Sequence, residues 1–383
     1  MTTVERIEDL EGFQRLREAW GELLTDSSAA VVFLTWEWLF AWWKHLSGGR
    51  RLFILVVRRS REIIAIAPLA ARRRGFTRLL ALPRLEFLGS GNVGSDYLDL
   101  IVRRGHEETA IQALSEHLDR AHITVELGRV RKEACIARDL AGRLQRRGWS
   151  LSDAATEVCP FIRLSGHSWD SYLESLGPRH RYNFRRRLRN LSARFDVRMQ
   201  QAGSPGARGR ALDSLVAMHN LRWRERGGSN ALHTPALVSF HREVVGWTSE
   251  RGWLRLLILS LNDRPAATLY GFVYRRVFSF YQAGFDLEHR KDSVGLVTLG
   301  LAIKSAIEEG AEEFDLLHGS EPYKFHWARE VRALERLELY PPHARGALSR
   351  GAAELGRNAR RLARRLLPRA VPARIGHGGD GAT

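Results

Sequence analysis

The sequence FDLLHGSEPYKFHW fills residues 314–327 and joins an apolar run to a polar turn. The run predicts a short buried strand, in which the carboxylate of Asp315 is costly unless it has a partner or faces a cleft. Four side chains that can carry chemistry follow on a turn containing glycine and proline: His318, Glu321, Tyr323 and Lys324. Loops at strand ends carry function more often than strand interiors do, so this turn is the candidate catalytic segment.

The turn offers two kinds of catalytic group. Lys324 is one of only five lysines in an arginine-rich chain, and its ammonium can stabilise an oxyanion or a phosphate. Glu321 or His318 can relay a proton from an acceptor. The alternative is that Lys324 forms an ion pair with Asp315 and only holds the turn in place.

Upstream of this turn, helical and strand patterns alternate, and their order occurs twice along the chain. In the second half, periodicity predicts helices over 168–176, 178–193, 208–226, 235–250 and 295–309, a hairpin of 254–261 with 265–274, and strands over 277–285 and 313–317. In the first half it predicts helices over 5–24, 35–46, 106–120 and 132–147, a hairpin of 52–58 with 62–70, and strands over 85–88, 97–102 and 123–127. The repetition indicates a duplication, although two unrelated α/β domains can share such an order by chance.

The element order also predicts the fold class and the domains. Antiparallel hairpins followed by a helix and a strand exclude a purely parallel sheet and favour mixed α/β sheets. A chain of 383 residues is expected to form two domains. We predict a non-catalytic domain over 1–155, a catalytic domain over 156–343 and a tail over 344–383.

The net charge of +17 is concentrated in the arginine-rich tail. Apolar residues at helical spacing there predict a basic amphipathic helix, followed by a glycine-rich disordered end. The tail is either solvated or contacts anionic lipid head groups, a polyanion or an acidic partner. The chain shows no membrane-span or signal-peptide pattern and has only two cysteines, so we expect a cytoplasmic protein that can touch the inner membrane face.

Five stretches resemble the FemAB-like acyltransferases: residues 34–43, 176–191, 279–286, the helix beginning near Gly295, and 314–327. The most similar branch is the CelD-like (BioF-like) acetyltransferase group, often found near bacterial polysaccharide genes. The resemblance covers roughly residues 30–340. It implies two tandem domains of the Gcn5-related acetyltransferase (GNAT) fold. It also implies an acyl donor, usually acyl-CoA but aminoacyl-tRNA in the peptidoglycan-bridge branch, and an amine or hydroxyl acceptor.

The resemblance further implies where an acyl-CoA would bind. Its phosphates would lie at the start of the helix near Gly295, where helix N–H groups favour anions. Arg290, Lys291 and Ser293 would line that site. Its pantetheine arm would enter between strands 277–285 and 313–317, lined by Tyr281 or Gln282. The phosphate loop departs from the family pattern, because it has one glycine and Val294 replaces a frequent proline.

The acceptor site is predicted from two polar clusters in the second half. Arg181 and Arg185 share a face of the helix 178–193 and can bind phosphate, nucleotide-sugar or carboxylate groups. His219 and Trp223 form a second cluster. Both clusters are equally compatible with a solvated surface.

Three functions follow from these expectations. The preferred one is acyl transfer from acyl-CoA to an amine or hydroxyl of a polysaccharide or cell-envelope precursor. The alternatives are aminoacyl-tRNA-dependent transfer, in which the basic chain binds RNA phosphates, and a catalytically degenerate module that only binds a partner. The histidines lack the spacing of metal ligands, so no metal is expected.

Overall fold

The computed structural model describes residues 1–74, 82–224, 232–343, 346–348, 350–351 and 354–355. The first half consists of β1 (Thr2–Ile7), α1 (Leu10–Arg15), α2 (Arg17–Thr25), α3 (Trp36–Leu46), β2 (Arg51–Leu52), β3 (Ile54–Arg59), β4 (Glu62–Ala67), β5 (Leu69–Arg74), β6 (Leu82–Phe87), β7 (Ile101–Val102), α4 (Glu107–Ala121), β8 (Thr124–Arg131) and α5 (Ile136–Arg146). The second half consists of β9 (Ser150–Arg163), α6 (Trp169–Ser175), α7 (Pro178–Ser192), β10 (Val197–Gln201), α8 (Pro205–Arg224), α9 (Pro235–Glu250), β11 (Leu254–Leu261), β12 (Arg264–Tyr274), β13 (Val277–Phe285), α10 (Val294–Glu308), β14 (Glu313–Asp315) and β15 (Glu330–Tyr340).

These strands form one antiparallel sheet and one larger mixed sheet, and together with the helices they confirm the predicted α/β class. A four-stranded sheet has the order β1-β3-β4-β7, and an eleven-stranded sheet has the order β10-β11-β12-β13-β14-β9-β15-β8-β6-β5-β2. Each half contributes one parallel strand pair joined through a helix, and the other pairings are antiparallel. None of the described helices is long and apolar enough to cross a bilayer.

The large sheet runs without interruption from one half into the other. β15, the last strand of the second half, pairs on one edge with β8 of the first half and on the other with β9. We call this β8-β15-β9 arrangement the seam. The predicted domain boundary at 155/156 lies inside β9.

The hydrophobic core also crosses the seam. One cluster of buried side chains extends from Phe13 to Leu339 and includes the tryptophans of α3. The N-cap of α3 is Thr35, whose hydroxyl accepts from the Trp38 N–H over 3.4 Å. Trp38 is fully buried, and its indole donates to Ser95 over 2.9 Å, so this tryptophan-rich helix is part of the core.

A second cluster lies on the other face of the sheet, where α10 and α7 pack. At Gly300 of α10, an added Cβ would lie only 2.2 Å from the ring of Phe184 on α7. Only glycine therefore allows the two helices to approach this closely.

Several predicted elements were wrong. Residues 5–24 form an edge strand and two short helices, β1, α1 and α2, because β1 is exposed on both faces and so lacks a strand pattern. The strand expected over 97–102 is regular only at Ile101–Val102. Strands β9, β10 and β15 were not predicted. The predicted amphipathic tail, 344–383, falls mostly outside the described residues.

Candidate active site

β14 stops pairing with β13 partway along that strand, and we call the space beside the unpaired stretch of β13 the gap. The two strands are parallel over three pairs, from Val277↔Glu313 to Ser279↔Asp315. β13 continues to Phe285, but β14 ends, and the Leu316 N–H donates to Pro160 of β9 over 2.9 Å. Within the described part of the chain, β14 therefore offers β13 no partner beyond Ser279.

A β-bulge in β13 lies at the mouth of this gap. Phe280 pairs with Gly271 of β12 and Gln282 pairs with Tyr270, so Tyr281 is an extra residue without a register partner. At Gly271, an added Cβ would lie 2.6 Å from the carbonyl oxygen of Ser279, so the glycine permits the close approach. The bulge turns the backbone at Tyr281 away from the ladder, next to the gap.

The start of α10 lies at the far end of β13. Ser293 has a left-handed backbone (φ 59°) and precedes the first helical turn, and Gly295 packs against the ring of Phe285. The guanidinium of Arg187 donates to the Ser293 hydroxyl, which explains why Ser293 does not cap the helix through its side chain. The predicted phosphate site is therefore flanked by an arginine of α7 that had not been assigned to it.

An aspartate of the first half binds the histidine of the predicted catalytic turn. The fully buried carboxylate of Asp96 accepts from His318 Nδ1 over 2.8 Å and from the His318 backbone N–H over 2.9 Å. Its other oxygen accepts from Arg129 over 2.8 Å. Burial raises the pKa of Asp96, but the His318 hydrogen bond and the charges of His318 and Arg129 outweigh it and hold that pKa below its usual range.

His318 lies near the ring of Tyr281, the bulged residue. An added Cβ on Gly94 would be 3.3 Å from His318 Cε1 and 3.8 Å from the Tyr281 ring, so both rings contact one point of the loop before Asp96. The Tyr281 hydroxyl donates to the Val93 carbonyl in this loop. The first half thus covers the mouth of the gap.

Asp315 has a partner, as its apolar surroundings require, but the partner is not Lys324. Its carboxylate accepts from the Tyr97 hydroxyl over 2.7 Å and from the Leu317 N–H over 2.8 Å, and Arg332 lies 3.4 Å away. Burial raises the pKa of Asp315 to about 6, partly opposed by the hydrogen bond from Tyr97. The alternative of an Asp315–Lys324 ion pair is therefore wrong.

The ammonium of Lys324 is buried beneath the catalytic turn. It donates to the carbonyl oxygens of His318 over 2.6 Å and Leu317 over 3.2 Å, and it lies 3.1 Å from the carboxylate of Glu321. These contacts account for its three N–H donors. In this conformation Lys324 holds the turn and does not point into the gap, contrary to expectation. The neighbouring Tyr323 is exposed.

The geometry of the second half can be compared with known proteins. Residues 178–325 match the family model described as Acetyltransferase (GNAT) domain. Residues 178–325 are thus similar in sequence to an acetyltransferase domain of the GNAT type. No curated protein sequence matches the chain.

Solved structures share the fold over most of the chain. A crystal structure of FemX aligns with a TM-score of 0.59 at 12% identity, over 86% of this chain and 96% of that chain. The C-terminal domain of a putative lysylphosphatidylglycerol synthetase from Agrobacterium fabrum aligns with a TM-score of 0.52 at 9% identity, over 90% and 96%. The L-PGS of Bacillus licheniformis aligns with a TM-score of 0.51 at 10% identity, over 86% and 92%. The likeness to FemX agrees with the FemAB-like resemblance, whereas the CelD-like branch stays a prediction.

The first half repeats the GNAT-like arrangement with its gap filled. Its parallel pair, β6 and β8, covers Arg84↔Thr124 to Glu86↔Glu126. Beyond that pair, the Leu98 N–H donates to the Arg129 carbonyl of β8 over 3.1 Å. The segment around Leu98 thus lies along β8, where an acyl donor would otherwise be bordered. The same segment places Asp96 next to His318.

The residues predicted to bind the acceptor are not brought together. Arg185 forms an ion pair with Asp170 over 3.0 Å, and Arg181 lies 3.8 Å from Glu174, so both contact acids of α6. His219 is buried under β13, where an added Cβ on Gly284 would lie 3.2 Å from its backbone nitrogen.

Other predicted residues occupy varied positions. The side chain of Trp223 lies outside the described residues. Gln282 lines the gap end of β13, and its amide oxygen lies 3.3 Å from the Ala283 nitrogen. Arg290 and Lys291 are exposed on the turn before α10.

The site residues that the sequence did not reveal come from the first half and the seam: Asp96, Tyr97, Arg129, Glu157 and Arg332. A weak signal existed for Asp96, since it and Asp99 are the two acids of the otherwise apolar and small-residue stretch 93–101. An acid in such a stretch requires a partner, as Asp315 did.

Proposed function

We propose that the chain transfers an acyl group from acyl-CoA to an amine or hydroxyl of a polysaccharide or cell-envelope precursor. The observation that carries this proposal is the gap between β13 and β14 with the bulge at Tyr281. A thioester donor needs an extended groove with free peptide groups and a hydrogen-bond donor near its carbonyl oxygen. The gap and the bulge supply both.

The exposed edge of β13 beyond Ser279 can pair with the amides of a pantetheine arm, as a neighbouring strand would. The bulged backbone at Tyr281 lies where an N–H can meet the thioester oxygen and stabilise the charge that develops on it. At the other end, the start of α10 with Arg187, Arg290 and Lys291 favours a diphosphate. These features follow one another along a single strand.

In this proposal Lys324 supports the site indirectly. Its contacts with the Leu317 and His318 carbonyls fix the turn that borders the gap. Glu321 neutralises the ammonium from the solvent side. Lys324 therefore affects catalysis through the position of the turn.

A second candidate is transfer from an aminoacyl-tRNA. It is supported by the likeness of the whole chain to FemX and to a putative lysylphosphatidylglycerol synthetase, which suggests an aminoacyl ester as donor. The exposed arginines of α7 are compatible with RNA phosphates. The basic tail is proposed to contact a polyanion or an anionic membrane under either candidate.

Thermal denaturation with donor ligands tests the proposal. Acetyl-CoA or a longer acyl-CoA at saturating concentration is expected to raise the melting temperature, because a ligand that binds only the folded state stabilises it. Stabilisation by aminoacyl-tRNA alone, with steep salt dependence, would favour the second candidate. If neither donor stabilises the protein and no acyl transfer is detected, both transfer functions are wrong. The remaining candidate is then a module that only binds a partner.

A further inference from the structure

The Asp96–His318 pair joins the two halves at the mouth of the gap. We infer that His318 Nε2 is the general base that deprotonates an amine acceptor, and that Asp96 of the first half is its positioning residue. The inference rests on the proposed function, since it requires an acyl donor in the gap. It gives the first half, which the sequence predicted to be non-catalytic, a defined part in the reaction.

The contacts of Asp96 fix both the proton and the orientation of the imidazole. The carboxylate is fully buried and paired with Arg129, so it accepts hydrogen bonds and donates none. His318 Nδ1, 2.8 Å away, must therefore carry the proton. In the neutral ring, the lone pair then lies on Nε2. The backbone N–H of His318 donates to the same oxygen over 2.9 Å, which holds the residue against Asp96.

Nε2 faces an accessible space next to the gap. The His318 side chain is 31% exposed, and Nε2 lies 3.9 Å from the half-exposed carboxylate of Glu157 on β9. His318 Cε1 and the Tyr281 ring both approach Gly94, as described above. The lone pair is thus near the ring of Tyr281, the residue whose backbone forms the bulge where the thioester carbonyl is proposed to lie.

The charges around Nε2 favour a cationic acceptor. Glu157 and Asp96 are acidic, and Arg129 is shared between the two carboxylates at 3.3 and 2.8 Å. A primary amine arrives as an ammonium, which these carboxylates attract. A hydroxyl is neutral, so these carboxylates do not attract it in this way. The geometry therefore favours an amine over a hydroxyl, and N-acylation over O-acylation.

The acceptor ammonium binds beside Glu157 and loses one proton to solvent there, which leaves a neutral amine. Its nitrogen lone pair attacks the thioester carbonyl carbon, the C–N bond forms, and the second proton passes to His318 Nε2. The C–S bond then breaks, and the leaving thiolate takes that proton, which restores the neutral imidazole.

The variant Asp96→Asn tests the positioning role, with Asp99→Asn as its matched control. Asp99 is also buried, three residues later, but its carboxylate accepts from the N–H groups of Ile136 and Ala137. We expect Asp96→Asn to lower kcat by about 10²–10⁴-fold, as for loss of general base catalysis, without changing donor affinity. Asp99→Asn should change kcat by less than about threefold.

Nitrogen-15 NMR of histidine-labelled full-length protein gives a readout independent of turnover. The His318 signals are identified by their loss in His318→Gln. Wild type is expected to show the Nδ1–H tautomer, and Asp96→Asn a shift toward Nε2–H. An Nε2–H tautomer in wild type, or an unchanged kcat in Asp96→Asn, would overturn the inference.

The acceptor class is tested by Glu157→Gln. The change is expected to raise KM for amine acceptors by roughly tenfold and to leave the donor affinity unchanged. Equal turnover of hydroxyl and amine acceptors by wild type would contradict the preference for amines. A wild-type protein that consumes no acyl donor would remove the proposed function itself, which separates that failure from the failure of this inference.

Discussion

The ammonium of Lys324 donates to the carbonyl oxygen of His318 over 2.6 Å, so the buried lysine lies directly beneath the histidine of the candidate site. Lys324 and Asp96 bind opposite ends of the same residue, one at its carbonyl and the other at its N–H and ring. The position of His318 is thus fixed from both halves of the chain.

Lys324→Met is expected to lower the free energy of unfolding by about 2–4 kcal/mol, because two buried carbonyls lose their donor. Urea denaturation measures the change. Lys304→Met is the control, since Lys304 is half-exposed on α10 with only Glu308 at 3.6 Å, and its loss should cost under about 0.5 kcal/mol. Equal stability of the two variants would mean that Lys324 does not hold the turn.

Gly300→Ala is expected to destabilise the fold by about 1–3 kcal/mol, because its methyl group would overlap the ring of Phe184. Gly246→Ala in α9 is the matched control: nothing lies within 4 Å of the added methyl, and higher helix propensity should stabilise the protein by up to about 1 kcal/mol. Thermal or urea denaturation shows whether each variant is less stable or more stable than wild type. A neutral Gly300→Ala would show that α7 and α10 do not pack closely.

The stability of the protein is expected to depend on the protonation of Asp99. Burial raises the pKa of Asp99 to about 6, above the usual value of about 4. The folded state therefore binds the proton more tightly than the unfolded chain does. This contribution to stability is complete below about pH 4 and is lost as the pH rises through about 6.

Asp99→Asn removes this dependence, since asparagine does not titrate. The difference in unfolding free energy, wild type minus variant, should fall by on the order of 2–3 kcal/mol between pH 4 and 7. Urea denaturation at several pH values measures it, and the subtraction cancels groups common to both proteins. A difference that stays constant with pH would contradict the raised pKa.

Arg187→Met is expected to weaken acyl-CoA binding at least about tenfold, because a guanidinium at the start of α10 would be lost from the proposed diphosphate site. Calorimetric titration gives the Kd. Arg185→Met is the control on the same helix, since Arg185 is exposed and paired with Asp170. If both variants bind acyl-CoA as wild type does, the diphosphate does not bind at this helix start.

The sequence predicted the elements around the gap well and the contacts across the halves poorly. β13 has the predicted bounds because its apolar run ends at charged turns, and the burial of Asp315 correctly required a partner. That partner, Tyr97, lies 218 residues away on a segment without regular structure. No local pattern encodes such a contact.

The role of Lys324 could not be predicted for a different reason. Its residue type and position suited the stabilisation of an oxyanion, but the direction of its side chain depends on which backbone carbonyls the turn leaves without a hydrogen-bond donor. Leu317 has a left-handed backbone (φ 54°) and presents its carbonyl to the lysine. Backbone conformations of this kind are uncommon outside glycine and cannot be read from residue type.

The seam has a consequence for motion. β15 is hydrogen-bonded to β8 on one edge and to β9 on the other, so a hinge between the halves would have to break sheet hydrogen bonds. We therefore expect the protein not to open and close as a clamshell during turnover. Ligands would enter and leave through movements of loops around a rigid, preassembled floor.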